Sequence, residues 1–159
     1  MWISNKNGIP EGTKYFQIAD DNGVVLHVTD RAMFWAQGGV SMSLKDESRW
    51  HNIAVKEERL PFPDDERLRS AMAYDNSGEI YLVVTSTKCT AEQFRTAIKR
   101  NVAVKNLNEA IFLDGDGSSQ LLAGNVKLEG DARTVLQMIV VNGDYEPNPV
   151  KQIKEGVSQ

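Results

Sequence analysis

The chain has 159 residues, of which 41% are hydrophobic and 25% are charged, and its net charge is −4. This length predicts a single domain over residues 1–159 that buries about two-thirds of its unfolded surface without added staples. With no cluster of Lys and Arg to neutralise phosphates, the sequence argues against a nucleic acid polymer as partner. Cys89 is the only cysteine, so the fold contains no internal disulfide.

Membrane insertion and export are also disfavoured by the sequence. No apolar run approaches the roughly 18 residues of a membrane span, and the start of the chain lacks the apolar core of a secretory signal. We therefore expect a cytoplasmic protein without a membrane partner, and the composition leaves an oligomer open.

The first third of the chain predicts loops and short strands. Residues 1–13, rich in Gly, Asn and Pro, predict a loose entry segment. The sequence from Tyr15 to Val28, with Asn22-Gly23 at its turn, predicts a hairpin. Arg31 to Trp35 fits a strand or a short helix, which Gln37-Gly38-Gly39 ends.

Val40 to Ser43 fits one more strand. The sequence that follows is rich in charged residues. Residues 45–65 carry two prolines that force extended backbone around the phenylalanine between them. We expect this segment to be a solvated surface connection, with a lid as the alternative.

The middle of the chain gives the clearest secondary-structure signals. Leu68–Tyr74 and Glu79–Thr85, separated by an Asp-Asn-Ser-Gly turn, predict a hairpin. Thr90-Ala-Glu-Gln93 fits a capping box, and apolar residues follow it at helical spacing: Phe94, Ala97, Ile98 and Val102.

A strand from Ala110 to Leu113 follows this helix. Strand, helix and strand across some thirty residues can form a crossover unit, which would place the next loop at the carboxyl end of the second strand. Val135 to Val141 predicts a last strand, and residues 143–159 predict a loose polar tail. Together these elements predict an α+β fold, a twisted mixed β-sheet with one or two packed helices.

The loop after that strand is the main candidate site. The sequence Asp114-Gly-Asp116-Gly-Ser118-Ser119-Gln120 gathers two carboxylates, two glycines and two hydroxyls. A calcium loop would need Gly where Ser119 stands and Glu where Asn125 stands. Dinucleotide, P-loop and nucleophile-elbow motifs fail at the residues that follow the glycines.

Two chemical interpretations of this loop remain open. Successive amides could form a nest for phosphate oxygens, with hydroxyls as further donors, and one of two neighbouring carboxylates could serve acid–base chemistry. The alternative is a tight turn with solvated aspartates. A divalent cation on Asp114 and Asp116 also stays open, although no His/Cys/Asp spacing predicts a zinc site.

Phe-Leu-Asp-Gly-Asp-Gly-Ser-Ser-Gln-Leu resembles the Leu-Asp-Gly-Gly-Gly-Ser-Ser-Thr-Leu signature of the phosphodiester glycosidase family. The likeness extends to Arg69-Ser-Ala-Met-Ala-Tyr-Asp75, to Cys89-Thr-Ala-Glu-Gln-Phe, and to Asp131-Ala-Arg133-Thr-Val-Leu-Gln-Met. It is clearest over residues 69–142. Upstream, Gln37-Gly38-Gly39 is similar to the family's Asn-Gly-Gly. The chain departs from the signature at Asp116, where the family has glycine.

The resemblance implies hydrolysis between an anomeric carbon and a phosphodiester oxygen. It assigns the catalytic carboxylate to Asp114, with Asp116 second, and phosphate binding to Arg69 and Arg133. The remaining matched positions are implied to bind substrate: Gly115, Gly117, Ser118, Ser119, Gln37, Gly38 and Gly39.

The expected ligand is a small sugar-1-phosphate diester or a sugar–nucleotide. The leading hypothesis is a hydrolase of that ligand. The alternative is a module that sequesters a phosphorylated sugar or nucleotide without turnover, and a third hypothesis is an accessory protein that has kept the fold and lost the chemistry.

Overall fold

The computed structural model describes residues 2–5 and 34–140, with side chains from Gln37 onward. The strands are β1 (Trp2–Asn5), β2 (Phe34–Gln37), β3 (Val40–Ser41), β4 (Ser70–Asp75), β5 (Ile80–Val84), β6 (Leu107–Phe112), β7 (Leu121–Ala123) and β8 (Val126–Leu128). A π-helix covers Asn52–Glu57, an α-helix, α1, covers Ala91–Asn101, and a 3-10 turn covers Asp116–Ser118.

A four-stranded sheet in the order β3-β6-β4-β5 is the centre of the fold. Each neighbouring pair runs antiparallel, and every residue of the inner strand β4 is buried. Two-stranded pairs, β1 with β2 and β7 with β8, lie outside this sheet. The predicted α+β class is confirmed, as is the predicted hairpin of β4 and β5, but the sheet is antiparallel and not mixed.

Helix α1 begins where the sequence predicts. The Thr90 side chain accepts a hydrogen bond from the Gln93 amide, and the Gln93 side chain accepts one from the Thr90 amide, which completes the capping box. Phe94 and Ile98 are buried as predicted, but Ala97 is exposed. Arg95 is buried instead, because its guanidinium donates to the backbone oxygen of Met42.

The prediction of a solvated connection over residues 45–65 is wrong. Trp50, Ile53, Ala54 and Leu60 are buried, and all but Ile53 belong to the main core cluster with Phe94 and Phe112. The charged residues of the segment mask this role, because they occupy the outer positions of the turns and the π-helix while the apolar residues face inward.

Strands β5 and β6, joined through α1, run parallel with β4 between them. The loop that begins at Leu113 therefore leaves the carboxyl end of β6, as the crossover interpretation predicts. The position of the candidate loop at one end of the sheet follows from this topology.

Four other predictions have different outcomes. Residues 135–140 form no strand, and Leu136 and Met138 are 96% and 77% exposed. A strand needs a partner edge, and no described strand runs beside this segment, so its β-propensity is not realised there. Residues 2–5 pair with β2, so the entry segment is not entirely loose. The predicted hairpin at 15–28 and the tail at 143–159 lie outside the described residues.

Candidate functional site

The candidate site lies at one end of the four-stranded sheet, where each strand begins or finishes. Val40 at the start of β3 pairs with Phe112 at the end of β6. The Leu113 amide donates to the Ser70 carbonyl at 2.9 Å, and the Thr85 amide after β5 donates to the Arg69 carbonyl at 2.9 Å. Because neighbouring strands alternate in direction, residues far apart in sequence meet at this end of the sheet.

The signature loop, defined as residues 113–120, is a compact turn docked on the start of β4. The Asp116 amide donates to the Leu68 carbonyl at 2.8 Å, and the amides of Ser118 and Ser119 donate to carbonyls within the loop at 3.0 Å each. These three amides already have carbonyl acceptors within the protein, so they are not available to a ligand. The loop therefore does not present a continuous row of free amides, and a phosphate there would depend more on side-chain cations than the nest interpretation assumes.

Asp116 has a left-handed backbone conformation, with φ at 51°. Glycine adopts this region freely, while other residues adopt it at a cost that Asp and Asn bear best. The glycine of the family signature at this position thus has a structural reason, and Asp116 keeps the turn.

The carboxylate of Asp116 is held by Arg67, a residue that the sequence analysis missed. Arg67 Nη1 lies 2.6 Å from Asp116 Oδ2, with 30% of the Arg67 side chain exposed. Hydrogen bonds to Asp116 and then to Asp65 raise the pKa of the Arg67 guanidinium. The signal in the sequence was the Arg-Leu-Arg spacing, which puts the side chains of Arg67 and Arg69 on one face of an extended chain.

Arg69 is 6% exposed, and its guanidinium links neighbouring loops through hydrogen bonds to their carbonyl groups. Its Nη2 donates to the carbonyls of Phe62 and Asp65, at 2.7 and 2.8 Å, and its Nε donates to the Cys89 carbonyl at 3.2 Å. Burial lowers the pKa of this guanidinium. These contacts indicate that Arg69 stabilises the fold. To bind a phosphate, as the resemblance implies, its guanidinium would have to break these hydrogen bonds to the backbone.

Arg133 lies beside the signature loop, next to Gly117 and Gln120. It forms a forked ion pair with Asp131, with Nε 2.9 Å from Oδ1 and Nη2 2.5 Å from Oδ2. A Cβ on Gly117 would overlap the side chains of Asp131 and Arg133, so a larger residue there would displace this ion pair from the loop. Gln120 Nε2 fastens the arrangement by donating to the Arg133 carbonyl at 2.8 Å.

The electrostatics of this pair leave Arg133 a charged group. The hydrogen bonds from Arg133 lower the pKa of Asp131, and the same pairing raises the pKa of Arg133, with Asp116 and Asp114 adding smaller attractions. About half of each side chain is exposed. An incoming phosphate could therefore reach the guanidinium in competition with Asp131.

Asp114 is exposed, and among the described residues its carboxylate has no hydrogen bond or ion pair. Ser119 is 1% exposed and its Oγ accepts a hydrogen bond from Ser70 Oγ at 3.0 Å, so it supports the loop from inside. Ser118 is half-buried. Of the two acids in the loop, Asp114 is thus the one without a hydrogen bond or ion pair to a described residue, although its charge attracts that of Arg133.

The Gln37-Gly38-Gly39 turn lies at the same end of the sheet. Gly39 packs so closely on β6 that a Cβ would overlap the Phe112 carbonyl oxygen, whereas a Cβ on Gly38 would meet nothing. The Gln37 amide group donates to the Gly38 carbonyl at 2.8 Å. The structure therefore brings this turn to the end of β6, next to the strand that leads into Asp114.

A cavity of about 260 Å³ borders the signature loop at Ser119. It is lined by Leu68, Thr85, Ser86, Ser119, Lys127, Leu128, Glu129 and Gly130. Lys127 and Glu129 form an ion pair with Nζ 2.5 Å from Oε1. The cavity is lined by residues that follow β5, by the signature loop and by the end of β8, and it combines polar groups with Leu68 and Leu128.

In the described part of the chain, no three His, Cys, Asp or Glu side chains are grouped so that they could hold a metal ion. The open question of a cation on Asp114 and Asp116 therefore concerns two carboxylates only, one of which Arg67 already binds. The described residues also include no helix with the length and apolar character needed to cross a bilayer.

Comparison with known proteins identifies the family. The family model for phosphodiester glycosidases matches residues 10–142, which is most of the chain, so this protein belongs to the phosphodiester glycosidase family. No curated protein and no solved structure matches the chain. The resemblance inferred from the signature loop is confirmed, and membership of this family indicates a glycosidase-type activity.

Proposed function

We propose that the protein hydrolyses the glycosidic bond of a sugar-1-phosphate diester or a sugar–nucleotide. The observation that carries this proposal is the exposed Asp114 carboxylate, unpaired among the described residues, in a signature loop that Arg133 contacts at Gly117. A free carboxylate in a loop that also contacts a cation suits a reaction in which positive charge develops at an anomeric carbon and negative charge leaves on a phosphate.

The bond that breaks joins the anomeric carbon to the bridging phosphate oxygen. Asp114 acts as base or nucleophile, water supplies the new hydroxyl at the anomeric carbon, and the bond electrons depart with the phosphate. Since a phosphate monoester is a good leaving group, strong protonation of the leaving oxygen is less necessary than in ordinary glycoside hydrolysis.

Phosphate binding is assigned to Arg133, with Arg67 as a second source of positive charge. The Arg133 fork matches two phosphate oxygens as it matches the carboxylate of Asp131. The sugar is assigned to the 260 Å³ cavity, where the exposed Ser86 hydroxyl and the charged groups of Lys127 and Glu129 can bind the hydroxyls of a sugar ring. Gly115, Gly117 and Ser118 shape the turn between these parts, and Gln37, Gly38 and Gly39 border it.

The test is turnover of a panel of sugar-1-phosphate diesters and nucleotide sugars, followed by mass spectrometry. Asp114→Asn should lower kcat by about 100-fold or more, because it removes the carboxylate charge and basicity, while leaving stability within about 0.5 kcal/mol. Glu79→Gln changes an exposed carboxylate in the turn between β4 and β5, at the opposite end of β4 from the loop, and is the control. Unchanged kcat in Asp114→Asn would remove that residue from the mechanism.

A binding module is the second candidate function, and one observation favours it. Asp116 replaces the family's glycine and holds Arg67, which reduces the free positive charge beside the loop. Retention of an intact phosphorylated sugar or nucleotide without product, weakened in Arg133→Ala, would support sequestration over hydrolysis.

A further inference from the structure

Phe62 is an aromatic residue held in the open near the signature loop. Its side chain is 55% exposed, and its φ is +50°. A bulky residue in the left-handed region is uncommon and persists only where the surroundings impose it. The fold therefore bears a conformational cost at this position and gains no buried ring in return.

The surroundings of Phe62 explain how the conformation is maintained. Prolines 61 and 63 flank the residue, but the extended backbone that they predict is wrong at Phe62, whose φ is +50°. The Phe62 carbonyl accepts a hydrogen bond from the buried Arg69 at 2.7 Å, and the Ala91 amide at the start of α1 donates to the Pro63 carbonyl at 2.8 Å. The segment is anchored to the core, so the ring is presented from a rigid support.

The ring is also coupled to the site. The Arg67 guanidinium carbon lies 3.8 Å from the centroid of the Phe62 ring, and the same guanidinium binds Asp116 of the signature loop. Ring, guanidinium and loop thus form one continuous contact. A flat π surface and a stacked cation at the margin of a phosphate-binding loop are suited to a planar group attached to that phosphate.

We propose that Phe62 and Arg67 form a stacking platform for the nucleobase of the leaving group, which makes the substrate class a nucleoside diphosphate sugar. This proposal rests on the proposed function and specifies its substrate. Bases stack on aromatic rings and on guanidinium planes through their π faces, so the platform selects for a base without reading its identity. The cavity that Ser86, Lys127 and Glu129 line is left for the sugar.

The first experiment compares two ligands that share a diphosphate and differ in the base. Uridine diphosphate should bind about 5- to 150-fold more tightly than inorganic pyrophosphate by calorimetry, the range that base–aromatic stacking provides. Adenosine diphosphate should show a similar advantage. Equal affinity for pyrophosphate and both nucleotides would overturn the platform.

The second experiment changes the ring. Phe62→Leu should remove most of the nucleotide advantage and leave pyrophosphate affinity unchanged, whereas Phe62→Trp should retain it. Val104→Ala, a change at another exposed apolar residue, is the control and should alter neither. Thermal unfolding of each variant verifies folding, because the Phe62 side chain contributes little buried surface. An unchanged nucleotide advantage in Phe62→Leu would overturn the assignment.

The outcomes also separate this proposal from the one beneath it. Hydrolysis of sugar-1-phosphate methyl diesters with no preference for nucleotide sugars would retain the proposed function and reject the platform. If Phe62→Leu weakens binding of a methyl diester as much as that of a nucleotide sugar, the ring contacts the sugar and the nucleobase assignment is wrong. Absence of binding to any phosphorylated ligand would reject both.

Discussion

Replacing Asp116 by glycine and by alanine isolates the backbone strain in the signature loop. Both changes remove the ion pair with Arg67, so that contribution cancels when the two variants are compared. At φ 51°, a side chain with a Cβ costs about 1–2 kcal/mol relative to glycine. Glycine loses about 0.4–1 kcal/mol through its greater freedom in the unfolded chain. Asp116→Gly should therefore be the more stable variant by about 1 kcal/mol.

Urea unfolding followed by circular dichroism measures this difference, and thermal unfolding should show about 2–4 °C between the variants. The sign is decisive. In ordinary helical or extended backbone, alanine would be the more stable of the two by the unfolded-state term alone. A more stable Asp116→Ala would refute the left-handed turn and with it our explanation for the family's glycine.

Two further predictions concern the supports of the site. Gly39→Ala should cost about 1–3 kcal/mol because its Cβ would overlap the Phe112 carbonyl, while Gly38→Ala, with open space around it, should stay within about 0.5 kcal/mol; equal stabilities by urea unfolding would contradict the close approach. Burial raises the pKa of Glu109, whose Oε1 accepts from the Leu44 amide, so its ionised form is penalised in the fold as pH rises. Glu109→Gln keeps the acceptor without the charge and should stabilise the protein at pH 7, with the gain vanishing below a pH of about 4; a gain independent of pH would disprove this origin.

Local signals in the sequence were sufficient for the elements whose stability is local. The capping box at Thr90 positions α1, and the apolar run before Asp114 predicts β6. The family likeness also rests on contiguous residues, and the match over residues 10–142 agrees with it. The same reasoning failed at residues 135–140, where β-propensity has no described partner strand to pair with.

By itself, then, the sequence determined the fold class, the family and the loop that carries its signature. Only the tertiary structure decided which charged groups accompany that loop. Arg69 turns inward to backbone carbonyls, Arg67 binds Asp116, and Arg133 reaches the loop paired with Asp131. Whether an arginine is buried, paired or accessible depends on acceptors brought to it from distant segments, and one-dimensional spacing does not contain that information.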